Sequence, residues 1–318
     1  PNKSLLGANA ILGVSIAFAR AAAVEQGRAL YAYLGNLDGR TTFSIPQPLF
    51  NILNGGKHAK HGIDIQECML APIGFKNMHE RVTAAKKCVA TLKSLLEEKG
   101  YGTAMGDEGG FAPSLISNDE ALEMLVAAIT GSGYTMGQIK ISLDVAASSL
   151  YTEGTYRLNV GGKTQNVRTE DLLDWYAASA KKYGLISIED GFAEDDWDSF
   201  VALEKELGGT LSIVGDDLTV TNVERIQKAV ALRAANACII KPNQIGTITE
   251  TIDAVRAARA AGWNVFASHR SGETLDTFIA DFAVGLSCDY LKAGAPTREE
   301  RIVKYNRLME IETELHSI

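Results

Sequence analysis

From residue 137 onward this chain repeats one unit: an apolar, strand-like run that ends on a charged residue or a histidine, followed by a helical stretch. The runs are ISLD (141–144), ISIED (186–190), SIVGDD (212–217), IIK (239–241), VFASHR (265–270) and YLK (290–292). Their end residues are Asp144, Glu189, Asp216, Lys241, His269 and Lys292, and from Glu189 on they follow at intervals of 27, 25, 28 and 23 residues. Each interval holds one strand and one helix, which predicts parallel strands with helices crossing back over the sheet. Two more strand-like runs, IPQPLFNILNGG (45–56) and IDIQECMLAP (63–72), come before the first of these units. Two irregular strands plus six regular units predict an eight-stranded α/β barrel, with the active site at the carboxyl ends of its strands.

The remaining stretches fit around that barrel. Residues 5–23, LLGANAILGVSIAFARAAA, are apolar or small on nearly every side, as in a helix buried among other helices. A short helix follows near 27–34, so residues 1–40 read as the helical end of a smaller domain and 41–318 as the barrel. Helical patterns occupy 78–99 and 119–131, the second capped by Ser117-Asn118 with Glu120 close behind. Between them, GTAMGDEGGFAP (102–113) is too rich in glycine for helix or strand. A hairpin over 155–167, with Gly161-Gly162 at its tip, precedes a helix at 169–182.

Composition narrows the partners. The 318 residues carry 31 basic and 39 acidic side chains, a net charge of −8 with no basic run, which argues against nucleic acid and anionic membrane. No uninterrupted apolar run reaches membrane-spanning length and no cleavable leader is evident, so membrane insertion is not expected. Cys68, Cys88, Cys238 and Cys288 are scattered without CxxC spacing and read as reduced and structural, which places the chain in a reducing compartment such as the cytoplasm.

Taken singly, an acid after a strand is a helix cap or turn former, and a lysine there extends its ammonium to solvent. Closure of a barrel changes this, because Asp144, Glu189 and Asp216 then point at one volume where their charges repel. A divalent cation resolves that repulsion, and ligands that are all oxygen favour Mg²⁺. Lys241 and Lys292 stand on the far side of the same mouth. Beside a cation and a second ammonium, Lys241 is expected to have a lowered pKa, towards that of a general base. Such a set suits proton abstraction next to a carboxylate, with the cation stabilising the enolate. Glu108, on the glycine-rich loop, is either one of a solvated acidic pair or an acid that meets a leaving hydroxyl. His58, Gln66 and Glu67 line the same rim, whereas His61, His79 and His316 are assigned to the surface.

Through LLGANAILGVSIA, FNILNGGKHA, DIQECMLAP, GDEGGFAP, SLDVAASS, SIEDGFAEDDW, GDDLTVTN, KPNQIGT, SHRSGET and KAGAP, in that order, the chain resembles the enolases (phosphopyruvate hydratases) along essentially its whole length. The resemblance implies a ββαα(βα)6 barrel and the reversible dehydration of 2-phosphoglycerate to phosphoenolpyruvate in glycolysis and gluconeogenesis, by a Mg²⁺-dependent homodimer. It implies that Asp144, Glu189 and Asp216 bind the first Mg²⁺, that Lys241 takes the C2 proton and that Glu108 protonates the departing C3 hydroxyl. Lys292 would hold the substrate carboxylate, and Arg270 and Ser271 the phosphate. His58, Gln66, Glu67, Ser268 and His269 would complete the pocket, with Glu67 and His269 also among the catalytic groups.

Two departures from the family pattern matter. Gly191 stands in SIEDGFAEDD where many members have proline. The chain also opens at Pro1, within what is the end of the family's smaller domain, so a mobile loop that gives a serine to a second Mg²⁺ has no counterpart here. On that ground this chain alone is expected to turn over slowly or not at all, and to bare an apolar face at Leu5, Ile11 and Val14. Other members of the superfamily are racemases, cycloisomerases and ammonia lyases, against which the GDEGG, SHRS and KPNQ motifs argue. A non-catalytic reading stands beside these: similar proteins serve as lens structural proteins or, at the cell surface or after secretion, as plasminogen receptors.

Overall fold

The structure, a computed structural model, describes residues 3–58, 62–160 and 162–317, apart from the side chains of His58 and Val160. Helices α1 (Ala8–Glu25) and α2 (Leu30–Leu37) lead into strands β1 (Gln47–Asn54) and β2 (Glu67–Ala71), then α3 (Met78–Glu98) and α4 (Asn118–Gly131). Strand β3 (Lys140–Asp144) is followed by three short strands outside the barrel, β4 (Tyr151–Thr152), β5 (Thr155–Val160) and β6 (Lys163–Val167). From there strand and helix alternate: α5 (Thr169–Tyr183), β7 (Leu185–Glu189), α6 (Trp197–Leu207), β8 (Ser212–Gly215), α7 (Val223–Leu232) and β9 (Ala237–Ile240). The chain closes with α8 (Pro242–Ile245), α9 (Ile248–Ala260), β10 (Asn264–Ser268), α10 (Phe278–Gly285), β11 (Tyr290–Lys292) and α11 (Glu299–His316).

Eight strands close into a barrel in the order β1-β11-β10-β9-β8-β7-β3-β2. The expected ββαα(βα)6 order is present. One strand departs from the all-parallel reading: β2 runs antiparallel to both β1 and β3. Among the described residues its link to β1 contains no crossover helix, and a link without one returns the chain in the opposite direction. The hairpin expected over 155–167 is β5 paired with β6, although Gly161 at its tip lies outside the described residues.

Alternation along the strands explains why charged side chains gather at one end. Leu49, Met69, Val214, Ile239 and Phe266 pack together inside the barrel, whereas Leu143, Ile188, Ile213, Cys238, Ile240 and Leu291 belong to the larger core shared with the helices. Successive side chains point to opposite faces of a strand. Asp216, Lys241 and Ser268 therefore follow Val214, Ile239 and Phe266 on the interior face, one layer higher. On the reversed strand, Glu67 precedes Met69 and reaches the same level. The helix cap expected at Ser117 is formed, its side chain accepting a hydrogen bond from the Glu120 amide.

Helix α1 is far less buried than a helix among other helices, and with the turn before it bares the expected apolar face at Leu5 and Val14. Of its 18 residues only Ala19 and Ala23 are buried, and Leu5, Val14 and Phe18 are 98%, 72% and 72% exposed, with Ile11 half-buried. By length and mean hydropathy (1.3) the helix passes a composition threshold for crossing a bilayer, although Asn9, Ser15 and Arg20 interrupt its apolar run. Polar and apolar residues share the side that faces the barrel, where Ile16, Ala19 and Ala23 pack on the core. The Asn243 amide donates to Asn9, the Ile248 amide to Ser15 Oγ, and Arg20 pairs with Asp276.

Helix α2 lies on α10 through two glycines. A Cβ at Gly285 would sit 2.5 Å from the Tyr31 carbonyl oxygen, and one at Gly35 would sit 2.7 Å from the Gly285 oxygen. Gly285→Ala is therefore expected to cost about 1–3 kcal/mol through overpacking, seen as a lower urea midpoint. An unchanged midpoint would show that this contact does not hold α2 to the barrel.

Candidate active site at the barrel mouth

Strand register sets three carboxylates side by side. Glu67 pairs with Asp144 across β2 and β3, and Asp144 with Glu189 across β3 and β7. Like charges directly opposite on neighbouring strands repel. The Lys292 ammonium answers them: its Nζ lies 2.7 Å from Glu189 Oε2, 3.1 Å from Asp144 Oδ2 and 3.2 Å from Glu67 Oε2. Burial opposes the Lys292 charge, but Asp144, Glu189 and Glu67 together outweigh it and hold its pKa well above the usual lysine range. The carboxyls bear the crowding. Burial and then the Glu108 charge push Glu67 well up, and burial and then Asp144 do the same to Glu189.

Lys241 follows β9 and pairs with Asp216 Oδ2. Gln244, in the α8 turn, donates to Asp216 Oδ1 at 3.0 Å. The lowering of the Lys241 pKa expected beside a divalent cation is opposed in this arrangement by Asp216. Burial and the Lys292 charge do lower it, but attraction to Asp216 and Glu189 and the hydrogen bond to Asp216 prevail, and the net shift is upward. The lysine is charged as long as Asp216 faces it with an unshared negative charge.

The donor set suits a divalent cation. Glu189 Oε1 is buried with no hydrogen-bond partner among the described residues, and such an oxygen inside a protein is costly unless something positive meets it. Asp190, Asp216 and Asp217 bring carboxylate oxygens within 4.8 Å of one another. Both Asp190 oxygens, however, already accept backbone amides, of Asp216 at 2.9 Å and of Asp217 at 2.7 Å. Of the two oxygen groups, the one around Asp144, Glu189 and Asp216 keeps the unpartnered atom.

Glu108 is buried, 2% exposed, which removes the reading of GDEGG as a solvated turn. The loop is held by its backbone. The Phe111 amide donates to the Ile52 oxygen, the Ala295 amide to the Glu108 oxygen, and Thr297 Oγ1 to the Gly109 oxygen. Gly110 leaves no room for a side chain, since a Cβ would lie 2.1 Å from Asn54 Oδ1. On the carboxylate, Asn51 Nδ2 donates to Oε2 at 3.0 Å, Ser271 Oγ donates to Oε1 at 3.1 Å, and His269 Nε2 lies 3.3 Å from Oε2. Burial raises the Glu108 pKa, but His269, Lys292 and Asn51 outweigh it and hold it well below the usual range. These contacts favour the charged form of Glu108, whereas burial and the Glu108 charge favour the protonated form of Glu67.

The structure brings Gln66, Glu67, Glu108, Asp144, Asp216, Lys241, Ser268, His269, Arg270, Ser271 and Lys292 around one cavity of about 180 Å³, with Glu189 buried beneath it. Arg270 is exposed at the rim and donates to Asn243 Oδ1. The side chain of His58, and His61 altogether, lie outside the described residues. Three contributors escaped the sequence reading. Asn51 shows no motif beyond its strand. Arg301 sits in TREER, which reads as a solvated helix start. Asp64 accepts the Asn159 amide at 2.7 Å and a hydrogen bond from Asn118 Nδ2, and so ties the segment before Gln66 and Glu67 to β5 and α4.

Comparison with known proteins agrees with this geometry. Residues 42–318 match the family described as Enolase, C-terminal TIM barrel domain. Enolase 1 of Methylococcus capsulatus is 51% identical over 315 residues, covering 99% of this chain and 74% of that protein.

A titration checks the crowding of the carboxyls. Because the Glu67 pKa is raised on folding, its contribution to stability is whole below the unfolded value of about 4.3 and is lost as pH rises through the folded value. In metal-free buffer, Glu67→Gln is expected to become progressively more stable than the native chain as pH rises above about 4, by about 1–3 kcal/mol in urea unfolding. A difference that is flat with pH would contradict a buried, ionising Glu67.

Proposed function

Because the chain belongs to the enolase family, we propose that its barrel mouth removes the C2 proton of 2-phosphoglycerate and expels the C3 hydroxyl to give phosphoenolpyruvate. Family membership makes it a glycolytic lyase, a phosphopyruvate hydratase, that acts on a small molecule with a divalent metal. The observation that carries the residue roles is the placement of two lysines, Lys241 and Lys292, on one ring of buried carboxylates.

Lys292, kept charged by three carboxylates, receives the substrate carboxylate, and Arg270 and Ser271 at the rim receive the phosphate. Lys241 Nζ takes the C2 proton. The C2–H electron pair becomes the C2–C3 double bond as the C3–O bond breaks. The departing hydroxyl takes a proton from Glu108, whose titration is coupled to that of Glu67, and leaves as water. A divalent cation, which we infer to be Mg²⁺, would be held by Asp144, Glu189 and Asp216 and would supply charge that draws on Asp216 and stabilises an enolate. His58, Gln66, Ser268 and His269 complete the pocket in this reading. A cytoplasmic location and a homodimer are finer points of the same proposal and rest on family membership alone.

Product analysis tests it. Incubated with 2-phosphoglycerate and Mg²⁺, the chain is expected to form phosphoenolpyruvate, however slowly, as read by the ultraviolet absorbance of the enol and by mass, and a chelator is expected to stop it. Racemised substrate without an alkene, or an alkene formed equally well with chelator present, would contradict it.

A further inference from the structure

We propose that Arg301 is a positioning residue of this site: its guanidinium ties the Glu108 loop to the loop after β10 and fixes His269 as the tautomer that carries its proton on Nε2, towards Glu108. This rests on the dehydratase reading only for what the positioned groups then do. Arg301, in the first turn of α11, is 1% exposed. Its Nη1 donates to His269 Nδ1 at 2.5 Å and to the Arg270 oxygen at 2.8 Å. Its Nη2 donates to the Ser271 oxygen at 2.6 Å and to the Asp107 oxygen at 3.1 Å. One rigid fork thus holds the backbone beside the glutamate and the backbone of both residues assigned to the phosphate.

The tautomer follows from the donor chemistry. A guanidinium has donors and no acceptor, and it does not lose its charge in proteins. The ring nitrogen that meets it must offer a lone pair, so Nδ1 carries no hydrogen. The proton of a neutral His269 is then on Nε2, 3.3 Å from Glu108 Oε2. A second proton on Nδ1 would point at the guanidinium. Burial also lowers the His269 pKa, in keeping with a neutral ring.

A purely structural tie does not call for a buried cation. Arg301 Nε has no hydrogen-bond partner among the described residues, and the Glu300 carboxylate is 3.9 Å away. Burying such a charge is expensive, and a neutral amide could bond to two carbonyls at lower cost. What a neutral amide cannot do is offer the imidazole donors alone, since by flipping it presents its oxygen as an acceptor. The backbone makes room for this side chain at Gly294, whose φ is +83° and where a Cβ would lie 2.9 Å from Arg301 Cδ.

The test reads the ring and needs no turnover, so it stands apart from the fate of the dehydratase reading. With ¹⁵N-labelled histidine, long-range ¹H–¹⁵N spectra report the tautomer, and His269 is assigned by the signal missing from His269→Gln. The native chain at neutral pH is expected to show Nε2–H with an unprotonated Nδ1. Arg301→Met is expected to give a mixture of tautomers, and Arg301→Lys, whose ammonium also offers donors and no acceptor, to keep Nε2–H. A native His269 protonated on Nδ1, or ring signals unchanged in Arg301→Met, would overturn the proposal. Should the variants fail to fold, the native spectrum alone decides.

Discussion

The structure turns on one buried ammonium. Register places Glu67, Asp144 and Glu189 on neighbouring strands at one level, and Lys292 reaches all three from β11. Without that cation, three carboxylates would be desolvated together with nothing opposite them, and removing one partner of a buried ion pair typically costs about 3–5 kcal/mol. With it, the mouth of the barrel is polar and carries a buried ion-pair network at its base. Asp216 and Lys241 repeat the arrangement one strand further round. Such a mouth is organised before any substrate arrives, which is the condition under which fixed charges act most strongly on a reacting centre.

Loops then complete what the strands begin. Glu108 and Ser271 come from segments with no regular structure, yet each is fixed: Glu108 by backbone hydrogen bonds to β1 and to the segment after β11, Ser271 through the Arg301 fork. Two glutamates of one site are thereby shifted in opposite directions. Glu108 meets donors on both oxygens, which favours its charged form, whereas burial and that charge raise the Glu67 pKa. The two shifts come from the same residue type, separated by environment alone.

How much of this was legible in the chain follows from what period and spacing encode. Strand ends were readable because an apolar run that stops at Lys241 or Glu189 marks both a boundary and a direction, and the 23–28-residue spacing fixes the crossover. The Ser117 cap and the hairpin after β4 carry local chemistry of their own and were readable for that reason. The direction of β2 depends on a connection whose short length says more than its composition. Helix α1 was legible in part: the bared apolar face at Val14 was readable, whereas burial on nearly every side was not, because Asn9, Ser15 and Arg20 share the contact with the barrel. Arg301 was invisible because a charged residue in a helix start reads as solvated until the loops it binds are known. The protonation of Lys241 and Glu108 could not be read because it depends on distances of a few ångströms to Asp216 and His269, which no spacing in sequence reports.

The central claim is that Lys241 is the base that takes the C2 proton. It is tested most directly by hydrogen exchange at C2 of 2-phosphoglycerate in D₂O, followed by ¹H NMR in the presence of Mg²⁺. The account predicts loss of the C2 proton signal with the native chain and a rate lower by about 10²–10⁴ with Lys241→Ala. Exchange at an undiminished rate in Lys241→Ala would contradict it.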